Sequence, residues 1–318
     1  MTEPRSNSRQ GENLDLIIIG GGPAGLTAGI YAARGRLETL LISQLVPGGQ
    51  AATTEWVENY PGFPDGIGGM ELMMKMEQQA RKFGIKTLSQ EITSVDFQNH
   101  AKVVKTSKGE YRSLALIIAT GTDYKKLNIP GEEKLRGRGV SYCATCDGAF
   151  FKDKDIALIG CGNSGLQEGL FLSKFVKSIS FVEFLPRMTA EKILQERVKK
   201  DSGNRFYLNH VLTSINGEEK VESVTVKNRQ TGEEKKLPVQ GVFIYAGMIP
   251  NPQFLKGKLE LDKWGYIVAN ENTETSVPGV YAAGDVRGKV LKQITTATSD
   301  GSIAAFMAEK YIETLKQE

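Results

Sequence analysis

The chain opens the same kind of unit twice. Leu16-Ile17-Ile18-Ile19 runs straight into Gly20-Gly21-Gly22-Pro23-Ala24-Gly25, and Ile156-Ala157-Leu158-Ile159 runs into Gly160-Cys161-Gly162-Asn163-Ser164-Gly165. Each aliphatic run fits a buried parallel strand. A helical pattern follows each turn, through Leu26, Ile30, Tyr31 and Ala33 in the first copy and from Leu166 to Phe175 in the second. A repeat this long describes two α/β domains and not a solenoid. In G-x-G-x-x-G the first glycine makes the tight turn, the second lets a pyrophosphate reach the backbone, and the third lets helix and strand pack closely. The helix N-terminus then faces the phosphates. Gly20, Gly22, Pro23, Ala24 and Gly25 are therefore candidates to hold one dinucleotide. Gly160, Gly162, Asn163, Ser164 and Gly165 are candidates to hold a second. Cys161 is read as structural, because phosphate binding at such a turn uses backbone N–H groups.

The second strand of each unit is where an acid for the ribose is expected. In the first unit Thr39 to Ile42 ends at Ser43, and Glu38 comes too early, so that contact stays unassigned. In the second, Ser180 to Val182 ends at Glu183, which is read as the ribose acid over a plain surface acid. Near the C-terminus, Val280-Tyr281-Ala282-Ala283-Gly284-Asp285 delivers a glycine and an acid to a strand end. Cofactors bind there in open α/β sheets, and Asp285 can accept from a ribitol or ribose hydroxyl. The competing reading is an ordinary strand and turn. Leu114 to Ala119 and Gly241 to Ala246 read as further buried strands. Ile85 to Tyr111 and Arg205 to Lys236 read as antiparallel strands. Glu71 to Phe83 reads as an amphipathic helix with Leu72, Met73, Met76, Ala80 and Phe83 inward, and Ile294 to Tyr311 as a closing helix.

Between the two units' glycine turns lies Cys143-Ala144-Thr145-Cys146-Asp147. Two cysteines separated by two residues can close a disulfide, open to a dithiol and close again, and the spacing lowers one thiol pKa. Asp147 is a candidate proton donor and acceptor for Cys146. The same spacing is half of a zinc site. That reading needs two more ligands, and the chain offers only Cys161, His100 and His210. A redox dithiol is the better reading, with no metal.

Composition narrows the class. The 318 residues correspond to roughly two domains of about 150. They are 40% hydrophobic and 24% charged, as in ordinary globular proteins. A net charge of +3 is too small to point to nucleic acid. No apolar run approaches the length of a membrane span, and the polar first 13 residues hold no secretory signal and read as a frayed tail. Three cysteines are too few for a disulfide scaffold, so the C-x-x-C reads as catalytic and the location as cytoplasmic.

Taken together, these motifs closely resemble low-molecular-weight thioredoxin reductases, from about Asp15 to Tyr311. Gly48-Gly49-Gln50, Glu58-Asn59-Tyr60-Pro61-Gly62, Ala119-Thr120-Gly121 and Cys143-Ala144-Thr145-Cys146-Asp147-Gly148 match in order, as does the late Gly284-Asp285. The resemblance implies two Rossmann-like domains, each a parallel sheet with helices plus a smaller antiparallel sheet. The FAD domain would be residues 1–121 and 252–318. The pyridine-nucleotide domain, carrying the disulfide, would be residues 122–251. It implies that Gly49, Gln50, Asn59, Thr120, Gly121, Gly284, Asp285, Lys292 and Gln293 contact FAD, and that the protein is a homodimer with thioredoxin as partner. Electrons would pass from a nicotinamide nucleotide through FAD to Cys143–Cys146. Cys146 would face the flavin, Asp147 would manage its proton, and Cys143 would attack thioredoxin.

The family's usual nucleotide stretch, H-R-R-x-x-x-R, is here Glu183-Phe184-Leu185-Pro186-Arg187-Met188-Thr189. Its three arginines are replaced by Phe184, Leu185 and Thr189, so NADH is expected over NADPH. Lys292 also stands where the family often has arginine. The alternatives are a ferredoxin-fed reductase, a dithiol oxidase with oxygen as acceptor, and a flavin-holding redox sensor. The last has no need of Asp147.

Overall fold

The computed structural model describes residues 13–44, 48–98, 101–251, 253–255 and 257–317. The tail read as frayed, together with Pro47, His100 and Pro252, lies outside the described residues, apart from Asn13. Two compact units are present: Met1–Asp123 with Ile249–Glu318, and Tyr124–Met248.

The first unit begins with β1 (Asn13–Ile19), α1 (Pro23–Arg34), β2 (Thr39–Ser43), α2 (Gly69–Lys82) and β3 (Lys86–Ser89). These give a parallel run in the order β3-β2-β1. β4 (Ile92–Gln98), β5 (Ala101–Thr106) and β6 (Gly109–Ile118) follow as an antiparallel meander. β6 also pairs in parallel with β1, so both parts share one sheet. Ile85 to Tyr111 was expected to be antiparallel throughout. Lys86–Ser89 is instead parallel to β2, because a strand reached through a crossover helix must run parallel to the one before it. β6 also merges what the sequence suggested were two strands. Its residues alternate in burial at the start and are all buried from Ala115 to Ile118.

β7 (Thr122–Tyr124) leaves the first unit. The second unit contains β8 (Val140–Ser141), α3 (Ala144–Asp147), β9 (Asp155–Ile159), α4 (Asn163–Leu172), β10 (Ser178–Glu183), α5 (Lys192–Lys199) and β11 (Arg205–Leu208). β12 (His210–Asn216), β13 (Ser223–Asn228), β14 (Glu234–Pro238) and β15 (Gly241–Ile244) complete it. A five-stranded parallel sheet runs β11-β10-β9-β15-β8, and β12-β13-β14 form a separate antiparallel sheet. Arg205–Leu208, expected to be antiparallel, is parallel to β10 for the same reason as β3, with α5 as the crossover. β16 (Met248–Pro250) pairs with β7 where the chain crosses back. β17 (Val280–Ala282) then adds to β6 in parallel, and α6 (Ile294–Gln317) closes the first unit.

The period-2 alternation of strand side chains explains the two cores of the first unit. Leu16, Ile18, Leu41 and Ile117 face the helices, against Leu26, Met73, Met76 and Ala304. Ile17, Ile19, Leu40 and Ile42 face the other way, against Val104, Leu255 and Val286. Met73 and Met76 are core, as expected, but Phe83 is not. The helix ends at Lys82, and the Phe83 ring lies 38% exposed beneath the Arg34 guanidinium. Among the described residues, no helix is long and apolar enough to cross a membrane.

Candidate functional site

Both glycine turns sit at the C-terminal end of a central parallel strand. In the first unit Gly20 has φ of 114°, and a Cβ there would lie 2.2 Å from the Ala119 carbonyl oxygen. A Cβ on Gly25 would lie 1.9 Å from the Gly20 oxygen, whereas one on Gly22 would meet nothing within 4 Å. The first and third glycines are thus dictated by packing, and the second faces open space at the start of α1. Pro23 is at the first helical position, where its missing N–H costs nothing. In the second unit, Gly160 and Gly165 stand against the Tyr245 and Gly160 oxygens in the same way.

Of the remaining residues expected to touch FAD, Gly49 and Gly284 lie against the first turn, and the others are placed by contacts of their own. The Gly48 N–H donates to the Gly21 carbonyl at 2.7 Å. A Cβ on Gly49 would lie 3.6 Å from the Gly22 Cα, and one on Gly284 would lie 2.9 Å from the Ala24 Cβ. Asn59 Nδ2 donates to Gln293 Oε1 at 3.1 Å. The Thr120 hydroxyl donates to the Asn251 carbonyl, and Gly121 turns with φ of 64°. Gln50 Nε2 reaches the Thr122 carbonyl, leaving Gln50 Oε1 buried without a hydrogen-bond partner. Asp285 Oδ1 is likewise buried without one, 3.7 Å from Lys289 Nζ. Burial raises the Asp285 carboxyl above its usual range, against the pull of Lys289 and Lys292. Buried polar atoms are normally paired. Two orphan acceptors around an open glycine turn fit a ligand with hydroxyl and N–H donors, as FAD has along its ribityl chain and pyrimidine ring. Lys292 Nζ lies 3.9 Å over the Tyr266 ring, and burial lowers its pKa.

One partner in this region was missed in the sequence. Asp300, on α6, accepts from the Gly284 N–H at 3.0 Å and pairs with Arg287 at 3.3 Å and Lys289 at 3.0 Å. All three side chains are nearly buried. Asp300→Ala would leave Arg287 and Lys289 buried and short of a counter-charge. We expect a loss of about 3–5 kcal/mol of stability and weaker cofactor retention, measured by urea unfolding and by the flavin-to-protein absorbance ratio.

Cys143 and Cys146 form a disulfide with Cα atoms 5.3 Å apart. Cys143 precedes the single turn α3, and its sulfur accepts the Cys146 N–H at 3.2 Å. Cys143 is half-buried, and Cys146 is exposed. Two residues that carried no sequence signal hold this turn. The buried Ser141 hydroxyl lies 2.6 Å from the Asp147 carboxylate and accepts the Cys143 N–H at 3.0 Å. The Tyr245 hydroxyl, 101 positions away, accepts the Ala144 N–H at 3.0 Å. Burial raises the Tyr245 pKa far above the usual phenol range, so this hydroxyl stays neutral.

In the second glycine turn Glu183 is 7% exposed at the end of β10. Its carboxylate accepts the Cys161 N–H at 2.6 Å and the Leu185 N–H at 2.9 Å. Asn163 and Glu191 bind each other through two hydrogen bonds at the start of α4, and Ser164 is exposed beside them. Burial, then the nearby Glu183 charge, pushes the Cys161 thiol up to about 12, so it is an inert structural group. Phe184, Leu185, Arg187 and Thr189 are exposed after Glu183.

The profile of the pyridine nucleotide-disulphide oxidoreductase family matches residues 14–301. The thioredoxin reductase of Bacillus subtilis (strain 168) is 46% identical over 304 residues, covering 95% of this chain and 96% of that protein. The thioredoxin reductase of Peptoclostridium litorale is 44% identical over 310 residues, covering 96% and 98%. Among solved structures, Lactococcus lactis thioredoxin reductase matches with a TM-score of 0.93 at 40% identity, over 95% of this chain and 100% of that one.

Proposed function

The chain belongs to the pyridine nucleotide-disulphide oxidoreductase family, and from that premise we propose that it is a thioredoxin reductase that draws on NADH. The observation that carries this reading is the Cys143–Cys146 disulfide, held in the same unit as a second, complete dinucleotide turn. The unit Met1–Asp123 with Ile249–Glu318 is then the FAD domain, and Tyr124–Met248 the pyridine-nucleotide domain.

FAD would rest on Gly20, Gly22, Pro23, Ala24 and Gly25, with Gly49, Gln50, Asn59, Thr120, Gly121, Gly284, Asp285, Lys292 and Gln293 around it. When bound, it supplies two-electron transfer between a nicotinamide and a disulfide. Once Cys143–Cys146 is reduced, the chain's own groups carry the reaction. The Cys143 thiolate attacks the thioredoxin disulfide, forming a mixed disulfide and releasing one thioredoxin sulfur as a thiolate. The Cys146 thiolate then attacks Cys143, re-forms the internal bond and releases the second sulfur. Asp147 takes the Cys146 proton before that attack and returns it when the disulfide is next reduced. A homodimer in the cytoplasm completes the reading.

Asp147 can do this only if its carboxylate is held in place. Ser141→Ala removes the hydroxyl that binds it and leaves the Cys143 N–H unpaired. We expect thioredoxin turnover to fall about tenfold, within the range for displaced general acid–base groups, while nucleotide-driven flavin reduction is unchanged. Ser141→Thr, which keeps the hydroxyl, should restore most of the rate. The reading as a whole is tested by anaerobic reduction of the enzyme with NADH, NADPH or reduced ferredoxin, followed by thioredoxin. Flavin bleaching by NADH and then thioredoxin reduction support it. Reduction by ferredoxin alone refutes the nicotinamide donor.

A further inference from the structure

The loop after β10 is fastened to two distant positions. The Asn209 N–H donates to the Leu185 carbonyl at 2.9 Å, and the Arg229 N–H donates to the Asn209 carbonyl at 2.9 Å. The circuit closes when Arg229 Nη1 donates to the Phe184 carbonyl at 3.1 Å. Asn209 enters this circuit with φ of 56°, a left-handed conformation that asparagine tolerates. The same arginine lays its guanidinium 3.5 Å over the Phe184 ring. Phe184 is nevertheless 51% exposed, and Leu185 beside it is 38% exposed. An aromatic ring braced on one side and open on the other is costly to leave in water and is already ordered for stacking.

Its neighbour gives the ring a purpose. Both Glu183 oxygens are fixed by backbone N–H groups, so the carboxylate has one position from which to meet a ribose. The base of a nucleotide is one bond from that ribose, and Phe184 is the next side chain along. We propose that Phe184, braced by Arg229, is the platform on which the adenine ring of the nucleotide stacks. This rests on the nicotinamide-nucleotide reading above. An uncharged ring here takes the place of an arginine in the family pattern. The guanidinium that does approach comes from the turn after β13 and already contacts the ring face and the Phe184 carbonyl.

The test is isothermal titration of the full-length, FAD-loaded enzyme with 5′-AMP, NADH and nicotinamide mononucleotide, comparing wild type with Phe184→Ala, Phe184→Tyr, Arg229→Ala and Arg229→Lys. Phe184→Ala should weaken AMP and NADH binding about tenfold, in line with the loss of one base–aromatic stack. Arg229→Ala should weaken both about threefold, because the ring remains but is no longer held. Phe184→Tyr should bind as wild type does, and Arg229→Lys should fall between wild type and Arg229→Ala. Mononucleotide affinity should be unchanged in every variant, which a general loss of fold would not produce. Wild-type binding of AMP and NADH with no response to Phe184→Ala overturns the platform and leaves the donor reading intact. A wild type that binds neither overturns both.

Discussion

Cys146→Ser should accumulate a stable mixed disulfide between Cys143 and thioredoxin, and Cys143→Ser should trap none. Both variants should lose thioredoxin reduction by roughly a thousandfold or more, since the two sulfurs act as a unit and neither alone can complete the exchange. The asymmetry is the informative part. If Cys143 is the attacking thiol, serine at 146 removes the group that resolves the intermediate. Serine at 143 removes the group that forms it. Flavin reduction by the nucleotide should remain measurable in both, because that step precedes the dithiol. The turn should survive either change, since Ser141, Asp147 and Tyr245 hold it independently of the sulfur–sulfur bond. Non-reducing gel electrophoresis after mixing reduced enzyme with oxidised thioredoxin reads the result. Equal trapping by both variants would reverse or abolish the assigned roles.

The second large effect concerns the donor. Wild-type enzyme should have a higher kcat/KM for NADH than for NADPH, and Glu183→His with Phe184→Arg should move the ratio toward NADPH by roughly a hundredfold. A charge-assisted hydrogen bond contributes about 1.5–3 kcal/mol, and about 1.4 kcal/mol is a factor of ten. The family's arginine positions are Phe184, Leu185 and Thr189, so the bidentate partners of a 2′-phosphate are missing. Glu183 adds repulsion. Its carboxylate is buried and bonded to two backbone N–H groups, so it cannot swing away from a phosphate. The same carboxylate can accept from a free 2′-hydroxyl. Arg187 is exposed and close in sequence, and it is the residue best able to work against this expectation. Measuring both nucleotides at one ionic strength decides it, because screening changes phosphate contacts most. A wild type that uses NADPH better would refute the argument.

The local patterns carried much of this protein. Strand, glycine turn and helix follow one another within about ten residues, and their chemistry depends on neighbours in the chain. Both fingerprints, the C-x-x-C-D stretch and the acid at the end of β10 were therefore visible as spacing alone. The helical spacing of apolar residues likewise placed Met73 and Met76 in the core. Direction in the sheets was less legible. Lys86–Ser89 and Arg205–Leu208 have the composition of short half-exposed strands, and nothing in them records that a crossover helix makes them parallel. Only the folded chain could supply the partners that set the site. Tyr245 reaches Ala144 across 101 residues, Arg229 reaches Phe184 across 45, and Asp300 reaches Gly284 across 16. A hydrogen bond or a ring stack requires two groups a few ångströms apart and leaves no periodicity in the sequence. The sequence therefore determined which groups can do chemistry, and the tertiary structure decided what holds Ala144, Gly284 and Phe184 in place, because those contacts exist only after elements distant in the chain have been brought side by side.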